Sequence, residues 1–259
     1  MSSVASFVFK SLAMVEVEVV KLRRDPTEIL SRAVQPALWM LVFGQVMSHA
    51  RAIQTGKLPY LDFMAPGILA QSVLFTSIFY GLSAIWERDL GILQKYLVSP
   101  TPREALVTGK ALSAGIRGIA QSIFVYALSL ILGVHLNWNP IDLLGGLVAI
   151  MLGAAFFSTF SLIIACIVKS RERFMGIGQV LTMPLFFASN AIYPIAMMPH
   201  WLQVISRVNP LTYQVDLLRS TMIVGGVNSF SMGVDVAVLF GATVVAILIA
   251  ARLYPGLAQ

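Results

Sequence analysis

The sequence predicts an all-α membrane protein with six transmembrane helices. It adds an N-terminal interfacial helix, a short cytoplasmic helix after the second span, and short re-entrant outer helices between spans five and six. Three observations predict this class. Of the 259 residues, 58% are hydrophobic and 12% charged, whereas an ordinary soluble domain carries about 25% charged residues. The apolar residues fall in runs near the ~20 residues a helix needs to cross a bilayer, with room for six. Finally, Leu181 to Arg219 is an apolar run broken at Pro184, Pro194 and Pro199, restarting as an amphipathic piece at Trp201 to Val208 and ending in Asn209-Pro210. Proline removes a backbone donor and crowds the preceding turn. Broken backbone survives in lipid only where protein or water shields it, so residues 184–210 are expected to be a broken, re-entrant outer region.

The same composition excludes other classes. The net charge of +6 suits basic inner loops of a membrane protein and calls for no nucleic-acid partner. Cys166 is the only cysteine, so neither an intrachain disulfide nor a cysteine metal cluster is available. The N-terminal stretch has charges within its apolar part and no convincing cleavage site, unlike a signal peptide. No internal repeat is visible.

Taken in order, Val4, Val8, Leu12, Val15, Val19 and Leu22 recur at steps of three or four, the stripe of a helix. Residues 1–26 are therefore read as a helix lying along the inner membrane surface. Alternation of Val15 to Val19 with Glu16 and Glu18 leaves a strand as the competing reading. Pro26 suits a helix start. The first span is expected over residues 30–48, with Pro36 placed to bend it, and the second over 61–83. Trp86 to Lys110 is the longest charged stretch, with Leu90, Leu93 and Leu97 on one apolar side and a break at Ser99-Pro100-Thr101-Pro102. The third span covers about 106–132 and contains Arg117, costly in lipid unless it snorkels or faces protein. The fourth, about 142–168, holds Gly145, Gly146, Gly153, Ala154 and Ala155, which permit close helix contact. The fifth runs from about Phe174 to Phe187, and the sixth covers 233–251. With both termini cytoplasmic, most of the 18 basic residues lie inside, and Arg51, Lys57, Arg207 and Arg219 lie outside. The reverse orientation would violate the positive-inside bias.

The motifs for independent chemistry are missing. No phosphate loop is present, because Gly56-Lys57 and Gly109-Lys110 lack the glycine framework and the following Ser or Thr. No HExxH, GxSxG or paired Cys occurs. His49, His135 and His200 fall on expected outer loops as surface histidines. Asp62, Asp142 and Asp235 each sit near a span start, where negative charge favours a helix N-terminus. Asp216 and Arg219, three apart on a helical stretch, are placed to form a structural pair. No mid-span carboxylate offers an ion-coupling site, which weighs against a secondary transporter or channel. Energy for transport is expected to arrive through the cytoplasmic surface.

Four stretches carry a resemblance. Phe63-Met64-Ala65-Pro66-Gly67 opens the second span. Glu87-Arg88-Asp89 through Leu97-Val98-Ser99-Pro100 forms the charged connector. Ser189-Asn190-Ala191-Ile192-Tyr193-Pro194 is followed by Met198-Pro199 and Trp201-Leu202. Asn209-Pro210-Leu211-Thr212-Tyr213 precedes Asp216 and Arg219. Together, over nearly the whole chain, they resemble the inner-membrane permease subunits of type-2 ABC exporters, the family of nodulation-factor, daunorubicin-type drug and polysaccharide exporters. The resemblance implies one transmembrane domain over 1–259. Two permease subunits, expected to be identical, would pair with two copies of a separate ATPase that binds ATP and Mg; this chain would bind no cofactor. It implies a coupling element seated on the ATPase, carried here by Glu87, Arg88, Asp89, Leu93, Lys95 and Leu97. It implies an outer gate at Phe186, Asn190, Tyr193, Pro194, Pro199 and Trp201. Spans one, two and five would face the path. The expected role is export of a hydrophobic drug-like or lipid-like substrate across a bacterial or archaeal inner membrane. A lipid-linked polysaccharide or lipo-oligosaccharide exporter is the alternative within the class. An ion-coupled transporter or a cofactor-maturation permease stands outside it.

Overall fold

The structure is a computed structural model. It describes residues 27–51, 53–56, 58–94, 102–168 and 170–258, with positions 11, 13, 15–17, 19, 20 and 24 before them. Those early positions are helical, and Ser11 Oγ donates to the Ala105 carbonyl at 3.2 Å. The rest of the expected interfacial helix lies outside the described residues.

Among the described residues, ten α-helices have defined bounds: α1 Thr27–Leu38, α2 Gln45–Ala50, α3 Tyr60–Tyr80, α4 Leu82–Asp89, α5 Arg103–Ile131, α6 Pro140–Val168, α7 Arg171–Phe187, α8 His200–Val208, α9 Pro210–Met222 and α10 Met232–Leu253. A π-helical turn, Trp39–Gly44, joins α1 to α2. Short 3-10 turns span Ile195–Met197 and Tyr254–Ala258.

α3 is the innermost helix. Met64, Ala65, Ile68, Leu69, Ala70, Val73, Leu74 and Ile78 are all fully buried. It packs against α5, α6, α7 and α9, while α6 also receives α10 on its other side. Apolar side chains also cover the outside. Val244, Val245, Leu248 and Ile249 of α10 and Ile141, Leu144 and Val148 of α6 are exposed, as a lipid-facing surface requires. Small residues set the closest approaches. A Cβ on Gly67 would overlap the backbone of Ala191, and one on Gly153 would overlap the Gln214 amide. At one end an isolated antiparallel bridge joins Leu136 to Ile223. It ties the α5–α6 connection to the end of α9 through Asn137 N–H to the Met222 carbonyl at 2.8 Å and Val224 N–H to the His135 carbonyl at 3.0 Å.

The expectation of six spans is corrected. Among the described residues, four helices are long and apolar enough to cross a membrane: Tyr60–Asp89, Arg103–Ile131, Pro140–Val168 and Met232–Leu257. These correspond to the expected second, third, fourth and sixth spans. Residues 30–48 do not form one long α-helix. Pro36 sits inside α1, and beyond it the hydrogen-bond ladder widens to the π-turn before resuming as the six-residue α2. The expected fifth span is the 17-residue α7, which opens on Arg171, Glu172 and Arg173. Its buried residues Phe174, Gly178, Thr182 and Phe186 form a single stripe at steps of four.

The expected re-entrant outer pair is also corrected, because no clear re-entrant pair is present among the described residues. α8 has nine residues, of which only Ser206 is buried. α9 is buried almost throughout and packs on α6, α10 and α3 as a core helix. An amphipathic surface piece and a core piece follow one another, separated by Asn209, whose side-chain oxygen accepts from Leu211 N–H at 3.0 Å and so caps α9.

Candidate functional site

The sequence-predicted residues fall at opposite ends of the bundle, with a cavity beside α3 between α1 and α5. The first group is built on α4. This helix ends at a tight turn in which Leu90 N–H donates to the Trp86 carbonyl at 2.9 Å and Gly91 N–H to the Arg88 carbonyl at 2.9 Å. Gly91 has φ +70°, a left-handed conformation that glycine adopts without cost. Glu87 accepts from Lys110 Nζ of α5 at 2.7 and 2.8 Å. The Lys110 side chain is only 6% exposed and that of Glu87 16%, so this pair is shielded from solvent. Asp89 receives Arg88 at 2.7 Å and Arg171 of α7 at 2.7 Å. The Arg171 guanidinium also lies 5.4 Å from the Trp86 ring. Leu93 is fully buried, in a cluster with Leu106, Val107, Tyr254 and Leu257. Glu87 and Asp89 thus bind α4 to two different helices. Lys95 and Leu97 lie outside the described residues.

The cavity beside α3 measures about 770 Å³. Its lining combines Arg32, Gln35, Gln71, Ser72, Thr76 and Arg117 with Pro36, Phe75, Phe79, Leu82 and Trp86. Arg32 donates to the Thr76 carbonyl at 3.3 Å. The Arg117 guanidinium lies 4.8 Å from the Tyr80 ring centroid, so Arg117 faces protein rather than lipid.

The second group surrounds α9. Phe186 is fully buried, edge-on to Trp39 with centroids 5.5 Å apart. Tyr193 Oη donates to the Phe187 carbonyl at 2.5 Å, and burial holds its phenol above the usual range, so it remains a donor. Pro194 precedes the turn Ile195–Met197, Pro199 precedes α8, and Trp201 is 64% exposed. Between α7 and α8 lies an apolar groove of about 740 Å³ bordered by Leu181, Leu185, Phe187, Tyr193, Trp201 and Ile205.

Asn190 is buried with Asp216 and Arg219. The Asp216 carboxylate accepts from Ser229 N–H at 2.9 Å, Phe230 N–H at 2.8 Å and the Asn190 amide at 3.2 Å. Arg219 donates to the Asn190 carbonyl at 2.6 Å and the Phe63 carbonyl at 3.3 Å, and stands 3.9 Å from the Phe63 ring centroid. Asp216 and Arg219 approach only to 4.0 Å. The tighter contacts are those each makes with backbone, and together they join α3, the Asn190 segment, α9 and the loop before α10.

Profile comparison decides the family: the ABC-2 type transporter profile matches residues 10–223. This chain belongs to the ABC-2 type transporter family. The ABC-2 chain is also similar to the transport permease ycf38 of Cyanophora paradoxa, 31% identical over 222 residues, which are 84% of this chain and 76% of that relative. It is similar to the daunorubicin resistance ABC transporter permease protein DrrB1 of Streptomyces coeruleorubidus, at 23% over 229 residues, 88% of this chain and 80% of the relative. The inner membrane transport permease YadH of Escherichia coli K12 is 25% identical over 220 residues, 82% of this chain and 79% of the relative. The protein is therefore a multi-span ABC-2 type permease, a transport protein of the membrane. Among the described residues, no group of three His, Cys, Asp or Glu could hold a metal.

Sequence reasoning missed several functional-site contacts of this ABC-2 chain. In the sequence Lys110 marks only the end of the charged stretch and half of a Gly-Lys pair without a phosphate loop, and Arg171 is not singled out at all. His135, read as a surface histidine, has an exposed ring whose Nδ1 lies 2.8 Å from the buried Asp62 carboxylate. Asp235 is fully buried, and neither carboxylate oxygen has a hydrogen-bond partner among the described residues. The sequence signal for Glu87–Lys110 was opposite charge flanking a proline turn. For Asp235 there was none.

Proposed function

We propose that this chain is the membrane-spanning half of an ATP-driven exporter, working with a second, identical permease and two copies of a separate ATPase that binds ATP and Mg. Both termini are cytoplasmic, and the membrane is a bacterial or archaeal inner membrane, in line with the positive-inside bias. Residues 86–104 are the coupling region, and the segment around Phe186 to Trp201 forms the outer gate. The observation that carries this reading is the anchoring of α4. Glu87 is tied to α5 through Lys110, and Asp89 to α7 through Arg171. A force applied to α4 would therefore move two packed helices as one body. That suits a rigid-body transmission element, since packed interfaces switch between discrete arrangements rather than deform.

The cargo is hydrophobic, drug-like or lipid-like. The groove bordered by Leu181, Leu185, Tyr193 and Trp201 supports this by being almost wholly apolar. The similarity to a daunorubicin resistance permease points the same way.

Co-purification with the ATPase encoded beside it, followed by ATPase assays in lipid, tests the reading. The wild-type complex should form. Asp89→Ala should leave the permease folded but lower substrate-stimulated ATPase activity severalfold. A chain that captures no ATPase would refute the exporter assignment.

A further inference from the structure

We propose that Gly81 is a one-way hinge: the helix that begins as α3 and continues as α4 bends there, and the cavity beside α3 closes as it does. Tyr60–Asp89 is long and apolar enough to cross a membrane as one helix, yet its ladder changes step at Gly81. Gly81 N–H donates to the Ile78 carbonyl at 3.2 Å and Ala84 N–H to the Gly81 carbonyl at 3.1 Å, each a step of three in place of four. Gly81 itself has φ −60° and ψ −26°, the values of a 3-10 turn. A 3-10 step inside a longer helix is a common mark of a hinge. The Ile78 carbonyl also accepts from Ser161 Oγ of α6, and a side chain entering the ladder is one of the few causes of a helix bend.

The surroundings give the bend its direction. Gln71, Phe75, Phe79, Leu82 and Trp86 line the cavity and recur at steps of three or four, so they share one face of the helix on both sides of Gly81. Gly81 lies on the opposite face, where a Cβ would overlap the Ser161 side chain. A bend towards α6 therefore meets packed atoms, and a close-packed interior does not yield. A bend the other way enters a cavity of about 770 Å³. Different partners hold the two arms. On the Tyr60 side, α3 is packed through Met64, Ile68 and Leu74, and its Thr76 carbonyl receives Arg32 of α1 at 3.3 Å. On the other side, Glu87 and Asp89 tie α4 to Lys110 of α5 and Arg171 of α7. Gly81 is where these two bodies meet in one backbone. This inference rests on the export reading only for the source of the force, the partner ATPase.

Spin-label distances across the cavity test the hinge. In a Cys166→Ser background the full chain would carry nitroxides at Val34→Cys of α1 and Leu90→Cys at the end of α4, both positions more than half exposed. It would be diluted into unlabelled chain in lipid vesicles, so that each distance belongs to one copy. A bend of about 20° acting over the ~12 Å of α4 moves its far end by about 4 Å. The wild-type distribution should therefore hold two distances separated by about 4 Å. Val34→Cys with Ile123→Cys of α5, a pair that does not cross the hinge, should give one. Gly81→Ala alone would drive its methyl into Ser161, so the stiffened hinge is built on Ser161→Gly, which makes room. Ser161→Gly should keep both distances. Adding Gly81→Ala, a far better helix former than glycine, should leave only the longer one, with the thermal midpoint no lower than that of Ser161→Gly. In the complex with the ATPase, ATP and vanadate should shift the wild-type population to the shorter distance. A single distance in the wild-type chain would overturn the hinge, as would two distances that survive Gly81→Ala. A chain with two distances that captures no ATPase keeps the hinge and loses the exporter; a complex that hydrolyses ATP on a chain with one distance does the reverse.

Discussion

Lys110 and Asp216 show how much of this protein rests on single buried charges. Lys110 and Glu87 are shielded from solvent, so removing one partner leaves the other uncompensated. Lys110→Met should destabilise the protein by about 3 kcal/mol, read as a lowered thermal midpoint in detergent. Adding Glu87→Gln to that variant should recover a large part of the loss. Asp216 is acceptor to two backbone N–H groups and to the Asn190 amide. Asparagine has a single acceptor oxygen, so Asp216→Asn orphans a buried donor and should cost about 1–3 kcal/mol, measured by the same melt. Neither partnership was legible locally. Glu87 and Lys110 are 23 positions apart, and the main partners of Asp216 are backbone groups, which no side-chain pattern reveals. The i,i+3 spacing of Asp216 and Arg219 could be read directly, but at 4.0 Å it is the weakest of the contacts around them.

Among the elements, α3 governs how closely the others approach. Gly67 lies where α3 meets the backbone of Ala191, and Tyr60 Oη of the same helix donates to the Ile192 carbonyl at 3.2 Å. Backbone cannot rotate away from an added methyl as a flexible side chain can. Gly67→Ala should therefore push the 188–194 segment off α3 and cost about 1–3 kcal/mol, with a thermal midpoint well below that of an exposed control such as Gly241→Ala. The Pro66-Gly67 pair was visible in the sequence as a motif, but its partner was not. One element the sequence misread was the first span. Counting apolar residues over 30–48 sees one run, whereas the helix changes its hydrogen-bond step after Pro36.

On the scale of the whole molecule, the proposed orientation makes a direct prediction. Cys166 is buried, so in a Cys166→Ser background an impermeant maleimide applied to intact cells should label Gln54→Cys. It should label Glu172→Cys only after the membrane is opened. The opposite pattern would invert the molecule. Membrane class, helical content and four of the spans were determined by the sequence alone, because they depend on local quantities: apolar run length, charge placement and proline position. Family membership was legible for the same reason, through short motifs kept in order. Which runs become continuous spanning helices was decided only in the folded structure, where the backbone ladder is interrupted at the π-turn and where α9, modest in hydropathy, is buried by its neighbours. The arrangement of the candidate sites was decided there as well. Asp89 meets Arg171 from 82 positions away, and Arg32, Gln71 and Arg117 come from three different helices to line one cavity. Such pairings depend on how helices pack in three dimensions, and the packing of one helix on another is fixed by small residues and buried polar partners whose match lies far along the chain.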